Sequence, residues 1–295
     1  MASARRLCAL QLAVALLGAA ALLLVVAGCG DDSTVESSES RPDAETATVH
    51  HIHGLGVGPD SGELYVATHS GLFVAGDGEQ QLRQVGDSQQ DIMGFSVVGP
   101  DRFIGSGHPD PSDTDSPPNL GLIESRDGGR TWKSISLLGE ADFHVLQAAG
   151  GRIYGYDGTQ GLMVSSDGGR QWTQRTPPAA MFDLAVDPGD PERIVASTER
   201  GIVSSADAGK TWRPLRDDIA GLLAWPAPNA LHMVDGQGQI QRSPDGGRKW
   251  EAAGNLGGQP AAFVAHGNEL YAALADSTVK RSTDGGATWT VRATP

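Results

Sequence analysis

From His50 onward, the chain alternates short apolar runs with turns rich in Gly, Asp, Asn and Pro. A long segment with the apolar period of a helix does not occur there. Short runs bounded by such turns are typical of β-strands. In the first unit we predict four strands, named A to D in chain order, at residues 51–57, 64–68, 72–74 and 82–85.

The same order of runs returns five more times. The later A strands are predicted to begin near Asp91, Asp142, Ala180, Asp218 and Gln259. The matching B strands are predicted at 102–105, 153–156, 194–198, 231–234 and 270–274. A repeat period near 40 residues is typical of radial or stacked repeat proteins. We therefore predict an all-β domain over residues 49–295, folded as a six-bladed β-propeller.

An eight-residue motif, Ser-x-Asp-x-Gly-x-x-Trp, follows the C strand in five units, at 125–132, 165–172, 205–212, 243–250 and 282–289. We expect the aspartate to accept backbone N–H groups in the C-to-D turn and the glycine to adopt positive φ. The tryptophan should pack between blades. These structural roles fall to Asp127, Asp167, Asp207, Asp245, Asp284, Trp132, Trp172, Trp212, Trp250 and Trp289. The first unit carries a decayed copy around Asp77-Gly78.

This motif resembles the Asp-box (BNR) repeat of sialidase-like and sortilin-like propellers. The resemblance implies a six-bladed Asp-box propeller and says little about activity. The segments at 51–55, 68–72, 105–110 and 142–144 also resemble a group of bacterial Asp-box lipoproteins. Members of that group are commonly labelled glycosyl hydrolases or exo-α-sialidase-like, so glycosidase activity becomes one candidate function.

Residues 1–28 are predicted to be a signal peptide of the lipoprotein type. Arg5 and Arg6 precede an apolar run that ends at a small-residue site. The sequence before Cys29 resembles the bacterial lipobox, which implies cleavage before Cys29 and lipidation of its thiol. A single transmembrane anchor is the alternative, because the apolar run approaches spanning length.

Residues 29–48 contain few apolar side chains and many Ser, Asp and Glu. Such a segment cannot bury enough apolar surface to offset its ordering entropy, so we predict a flexible acidic tether after the lipidated cysteine. The domain is then expected at the cell membrane, lipid-anchored, on the extracytoplasmic side.

Net charge and cysteine content restrict which kinds of partner the domain is expected to bind. Cleavage before Cys29 would remove two arginines and no acidic residue, so the net charge would change from −14 to −16. Such a surface repels nucleic acid and anionic lipid, and it attracts cations. Only Cys29 would remain, so we expect neither a disulfide nor a thiolate metal ligand in the domain. A small molecule, a metal or a glycan is the expected ligand, and the expected oligomeric state is a monomer.

The histidines concentrate on one predicted face. In a propeller, the D-to-A and B-to-C connections share one face, and the A-to-B and C-to-D turns share the other. Six of the eight histidines map to the first face, namely His50, His51, His53, His69, His108 and His144. His232 and His266 map elsewhere. The functional face should therefore lie opposite the Ser-x-Asp turns, with the Pro- and Asp-rich insertion 108–119 flanking it as a mobile rim.

Aligned A strands place other donors beside these histidines. Period-2 alternation predicts one ring of His51, Asp91 and Asp142, and a second ring of His53, Met93 and His144. The equivalent positions of units four to six are mostly Ala, Phe and Gln, with one acid, Asp218.

These donor types suit a transition metal. Histidine with methionine favours copper, whereas histidine with aspartate would suit zinc, nickel or iron. We predict metal binding, with copper or zinc as the expected ion, by His51, His53, His69, His108, His144 and Met93, assisted by Asp91 and Asp142. The alternative is a wet channel in which the histidines hydrogen-bond to water and carboxylates.

Two other functions stay open. A sialidase-like glycosidase would act at the same face, with Tyr156, Asp91 and Asp142 as candidate catalytic residues. The first unit, however, lacks the Arg-Ile-Pro segment that carries one arginine of the sialidase triad. Three of the four tyrosines occupy equivalent B-strand core positions, namely Tyr65, Tyr154 and Tyr271. A non-catalytic scaffold that binds a polypeptide across one face is the other candidate.

Overall fold

Six four-stranded sheets make up the fold. The computed structural model describes Val49 and residues 51–295, and within that part of the chain it contains strands and no helix. Each sheet is antiparallel and consists of four consecutive strands. The first strand of each sheet contacts the first strands of both neighbouring sheets, and the series closes between the sixth sheet and the first. The prediction of an all-β six-bladed propeller is confirmed.

The strands are numbered in chain order, four to a blade. Blades 1 to 3 comprise β1 (Ile52–Val57), β2 (Leu64–Thr68), β3 (Gly71–Ala75), β4 (Arg83–Gln84); β5 (Asp91–Gly99), β6 (Arg102–His108), β7 (Leu122–Ser125), β8 (Lys133–Ser136); and β9 (Val145–Ala149), β10 (Arg152–Asp157), β11 (Gly161–Ser165), β12 (Thr173–Arg175). Blades 4 to 6 comprise β13 (Met181–Asp187), β14 (Asp190–Thr198), β15 (Gly201–Ser205), β16 (Arg213–Arg216); β17 (Leu222–Ala227), β18 (Ala230–Val234), β19 (Gln239–Ser243), β20 (Glu251–Asn255); and β21 (Pro260–His266), β22 (Glu269–Leu274), β23 (Val279–Ser282), β24 (Thr290–Ala293).

The predicted strand positions agree with the observed ones to within two residues except at four strands: β14 begins four residues before the predicted 194, β6 ends three residues after the predicted 105, and two innermost strands begin late. β9 begins at Val145 and β17 at Leu222, three and four residues after the predicted starts at Asp142 and Asp218. In blade 3, the His144 N–H before the strand donates to the Tyr156 carbonyl oxygen, whereas the Phe143 N–H donates to the Ser106 hydroxyl at 2.9 Å. The Asp142 N–H donates to Asp157 Oδ2 at 2.9 Å.

Four innermost strands share an irregularity near their first residues. In β1, β5, β13 and β21 the pairing with the next strand shifts by one position. The extra residues are His53, Met93, Phe182 and Ala261. A β-bulge interrupts the strict alternation of side chains and re-aims the bulged residue. The bulges interrupt the strict alternation assumed for the predicted rings, and His53 approaches Asp91 of the other ring. The predicted second ring of His53, Met93 and His144 nevertheless lines one cavity.

The five motif turns, here called the repeat turns, share one hydrogen-bond pattern. In the first, the Ser125 hydroxyl donates to Asp127 Oδ1 at 2.9 Å and accepts from the Gly129 N–H at 2.8 Å. The Thr131 N–H also donates to Asp127 Oδ1, at 2.9 Å. The same three bonds recur in the other four turns. One carboxylate thus satisfies several turn donors that would otherwise lack a partner.

Each repeat-turn tryptophan packs against a hydrophobic cluster that spans two blades. Trp132 packs against the cluster of Tyr65 and Phe103, from blades 1 and 2. Trp172 lies with its ring centroid 4.9 Å from that of Phe143. Trp212, Trp250 and Trp289 occupy the corresponding places at the next three interfaces. Five of the six interfaces are therefore sealed by the same aromatic wedge.

The sixth interface, between blades 6 and 1, is closed differently. Its cluster contains no repeat-turn tryptophan and takes in Val49 instead, which is 6% exposed. The buried Arg292 guanidinium donates to the carbonyl oxygens of Glu79 at 2.6 Å and Gly76 at 2.9 Å, in the decayed first copy of the motif. Thr294 pairs in parallel with Gln81 beside these bonds. At the interface between blades 6 and 1, the Arg292 guanidinium, hydrogen-bonded to backbone carbonyls, thus takes the place of the repeat-turn tryptophan.

No described residue belongs to a helix that could cross a membrane. The predicted signal peptide at 1–28, lipidated Cys29, the tether at 29–48 and His50 lie outside the described residues.

The repeat-turn carboxylates should make stability depend on pH at the acid end. Hydrogen bonds from the neighbouring threonine lower the pKa of Asp127, Asp207 and Asp284 from 3.8 to about 2. A depressed folded-state pKa gives stability above pH 3.8 that is lost as the pH falls towards 2. Asp207→Asn should lower the melting temperature at pH 6, and the difference from the parent should shrink by pH 2.5. Melting curves measured across that range test this, with exposed Asp60→Asn as the control. A difference that does not change with pH would contradict it.

Candidate functional site

The first turns of the six innermost strands surround the mouth of the central channel. A cavity of about 150 Å³ lies there, and every blade contributes residues to its lining. At one position near the start of each innermost strand, blades 1 to 3 carry metal-binding side-chain types, and blades 4 to 6 carry apolar ones. In blade order these residues are His53, Met93, His144, Phe182, Leu222 and Ala261. The mouth thus has a donor half and an apolar half.

A first cluster, His53, His69 and Asp91, lies where blade 1 meets blade 2. Asp91 Oδ2 lies 2.7 Å from His69 Nδ1, and Asp91 Oδ1 lies 3.7 Å from His53 Nε2. The His53 and His69 rings meet edge-on, with centroids 4.2 Å apart. One ligand atom from each of the three residues lies within 4.8 Å of the others. His51, which has a left-handed backbone at φ 46°, places its ring 5.3 Å from that of His69.

Two atoms of the first cluster are buried and have no hydrogen-bond partner among the described residues. They are His53 Nε2 and Asp91 Oδ1, the two atoms that face each other. Burial, followed by the neighbouring His69, lowers the pKa of His53 to about 4. His53 is therefore a neutral imidazole at neutral pH, the form that ligates metals. A neutral nitrogen and a carboxylate oxygen that are both unpaired in a buried place fit a shared cation.

A second cluster, His108, Asp142 and His144, lies where blade 2 meets blade 3. Asp142 Oδ2 lies 2.8 Å from His144 Nε2 and 3.6 Å from His108 Nε2. Asp142 Oδ1 is buried and has no hydrogen-bond partner in the part of the chain that the structure describes. The hydrogen bond to Asp142 is the main cause that raises the pKa of His144. His108 Nδ1 lies 2.8 Å from the carbonyl oxygen of Pro118, so the 108–119 insertion contacts this cluster directly.

An open cleft of about 640 Å³ extends from the second cluster along the join of blades 3 and 4. Asp142, Tyr156 and Asp157 line one part of it, and Phe182 lines another. Tyr156 is 8% exposed, so mainly an edge of its side chain reaches the cleft. Burial raises the pKa of Asp157, but hydrogen bonds from the Asp142 N–H and from Thr159 outweigh it, and the pKa is lowered. Asp157 is therefore a carboxylate at neutral pH.

The remaining predicted residues lie away from both clusters. His232 is buried in β18, where its Nδ1 lies 3.0 Å from the carbonyl oxygen of Ala230. His266 ends β21 and lines the opposite end of the channel. Asp218, aligned from sequence with the ring positions, instead pairs with Arg216 in an exposed turn. That alignment is wrong because β17 begins four residues later than expected.

Two residues of the channel mouth were missed from sequence. Phe182 is 52% exposed although it lies in an innermost strand. Asp183 is buried in the wall of the same cavity and accepts backbone N–H groups from Leu184 and Leu223. Burial is the main cause that raises its pKa to about 7. An acid inside the otherwise apolar run 181–186 was the available signal.

Comparisons with known proteins agree on the fold. No protein-family model matches the chain. A stretch of 95 residues is 27% identical to dispase autolysis-inducing protein from Streptomyces mobaraensis, over 32% of this chain and 25% of that protein. The fold is similar to that of the GH74 enzyme of Niastella koreensis, with a TM-score of 0.60 and 14% identity over 83% of this chain and 45% of that one.

It is also similar to YCF48 bound to D1 peptide, with a TM-score of 0.52 and 20% identity over 83% of each chain. The chain spans a quarter of the curated relative and less than half of the GH74 enzyme. At these identities the likeness to solved structures shows the propeller fold alone.

The hydrogen bond between Asp142 and His144 predicts a measurable titration. In metal-free protein, Asp142→Asn should lower the pKa of His144, because burial acts against the charged ring once the carboxylate is gone. NMR titration of the histidine ring signals measures this pKa directly. Asp218→Asn, an exposed acid away from the cluster, is the matched control and should leave it unchanged. An unaltered His144 titration in Asp142→Asn would show that the bond does not form.

Proposed function

We propose that this protein is a lipid-anchored extracytoplasmic propeller that binds a divalent transition metal at the face opposite the repeat turns. His53, His69 and Asp91 would be the ligands. The observation that carries the proposal is the buried pair of unpartnered atoms, His53 Nε2 and Asp91 Oδ1, which face each other at 3.7 Å beside His69. Leaving a buried nitrogen and a buried carboxylate oxygen unpaired costs about 1–3 kcal/mol each, and a bound cation would satisfy both atoms.

The ligand chemistry narrows the ion. Two imidazoles and one carboxylate bind zinc, iron or copper, and they leave coordination positions open for water or another molecule. The neutral state of His53 at neutral pH removes the competition with protons at that ligand. The net charge of −14 also raises the local concentration of cations at the surface. An open metal site at a channel mouth suits capture, sensing or presentation of a metal ion.

A second candidate function is glycoside hydrolysis at the same face. The cleft along blades 3 and 4 favours it, because Asp142, Tyr156 and Asp157 line an open space of about 640 Å³. Hydrolysis of a glycosidic bond commonly requires one protonated and one ionised carboxyl group. Asp157 could supply only the ionised one. Turnover of a panel of 4-methylumbelliferyl glycosides that is lost in Asp157→Asn would favour this function over metal binding.

The metal proposal predicts zinc and copper uptake that depends on the first cluster. Untagged protein should bind Zn²⁺ or Cu²⁺, and His53→Ala and His69→Ala should each weaken binding at the first cluster more than tenfold. Loss of even an outer-sphere partner typically costs about 10–100-fold in metal affinity. Isothermal titration with elemental analysis measures the affinity and the amount bound.

His266→Ala is the matched control, since His266 lies at the other end of the channel. It should bind as the parent does. Uptake that is equal in the parent, the first-cluster variants and the control would reveal adventitious binding and end the proposal.

If the protein is lipid-anchored, loss of the anchor should change its membrane association without changing its metal binding. Cys29→Ala should release the protein from the membrane fraction of producing bacteria, because the thiol that carries the lipid is missing. The parent should fractionate with membranes, and mass spectrometry should find a mature chain that begins with a lipidated Cys29. A Cys29→Ala protein that stays in the membrane fraction as fully as the parent would favour a transmembrane anchor. Metal uptake by the purified protein should not change.

A further inference from the structure

We propose that the second cluster binds a second transition-metal ion, so that the loaded protein holds two ions. His108, Asp142 and His144 would be the ligands. This inference rests on the proposed function, because it extends the same chemistry to the neighbouring blade junction. It differs from a single shared ion in the number of ions bound and in the independence of the two clusters.

The first argument is that the two clusters are related by one step of the repeat. Asp91 begins β5, and Asp142 lies just before β9, so each carboxylate stands at the start of an innermost strand. His69 follows β2 and His108 ends β6, so each histidine stands at the end of the second strand of the preceding blade. In both clusters the carboxylate of one blade therefore reaches a histidine of the blade before it.

The third ligand differs between the two clusters. At the position of His53, one blade further on, the chain has Met93, which lines the same cavity. The second cluster takes its other imidazole from His144, within 2.8 Å of Asp142 Oδ2. Each cluster consequently contains two imidazoles and one carboxylate, although the second was not built by simple repetition.

The hydrogen bonds of His108 provide the second argument. Its Nδ1 lies 2.8 Å from the Pro118 carbonyl oxygen, which can only accept, so Nδ1 carries the proton. Its Nε2 lies 3.6 Å from Asp142 Oδ2, and a metal ion bound by both atoms would join them. Donation of the other ring N–H to a backbone carbonyl is the usual arrangement of a metal-ligating histidine.

The third argument is that one carboxylate oxygen of Asp142 is available to bind a metal ion. Within Val49 and residues 51–295, its Oδ1 is buried and has no hydrogen-bond partner, and the same holds for Asp91 Oδ1 in the first cluster. Its backbone N–H donates to Asp157 Oδ2 at 2.9 Å, which holds the residue in place without using its side chain. In each cluster the carboxylate thus has one oxygen within 2.8 Å of a histidine nitrogen and a second, buried oxygen that is unpartnered among the described residues.

The test counts zinc ions in the untagged full-length chain and its variants. The protein is stripped with a chelator, reloaded with Zn²⁺, dialysed, and measured by elemental analysis and native mass spectrometry. We expect two ions in the parent, one in His108→Ala, one in His53→Ala, and none in the double variant. His266→Ala should keep two, and melting curves identify any variant that has not folded. Because His108 is 42% exposed in its side chain, His108→Ala should fold normally.

The outcomes separate the two proposals. One ion in the parent that is lost in His53→Ala and kept in His108→Ala would overturn the second site and leave the proposed function standing. One ion that is lost in both variants would also overturn it, in favour of a single ion shared by the clusters. No ion in the parent would overturn both proposals. If His108→Ala proves unstable, His144→Ala carries the same expectation, since that side chain is 55% exposed.

Discussion

Closure of six sheets around one axis forces six strand ends into a small space. The cavity at the channel mouth measures about 150 Å³ and is lined by residues of every blade. Each of these positions is therefore in reach of its neighbours across blade junctions, whatever their separation along the chain. The chemistry of the mouth follows from which residues stand there, and His53, Met93 and His144 face Phe182, Leu222 and Ala261. This convergence makes two blade junctions into clusters of imidazole and carboxylate.

The rest of the molecule holds that convergence in place. In each repeat turn, one carboxylate accepts hydrogen bonds from the donors of that turn. The repeat-turn tryptophans pack in five of the six interfaces between blades. None of these groups belongs to the His-Asp clusters. The repeated Ser-x-Asp motif therefore makes the blades rigid and fixes their orientation to one another. The acidic net charge, the neutral buried His53 and the unpaired carboxylate oxygens are the features on which the proposed cation binding at the mouth rests.

Much of the fold could be predicted from the sequence, because its signals are local. A strand such as β2 is an apolar run between turn residues, and the prediction of 64–68 matches it fully. The number of repeats in the sequence predicted the number of blades correctly. The arrangement of the site could not be predicted in detail, since a bulge depends on how two strands twist together and leaves no mark at His53 itself. The burial of Asp183 and the hydrogen bond from His108 to Pro118 are likewise products of packing.

The seam between blades 6 and 1 has a mechanical consequence. Val49 is buried in that seam, where its carbonyl accepts a hydrogen bond from Ser277, and it precedes β1 by three residues. A pulling force applied to the chain ahead of Val49 would act on the one interface that lacks a tryptophan wedge. The same force would reach His51 and His53 before any other part of the channel. In a tethered protein, the load would therefore pass through β1, the strand that carries His53 of the donor half.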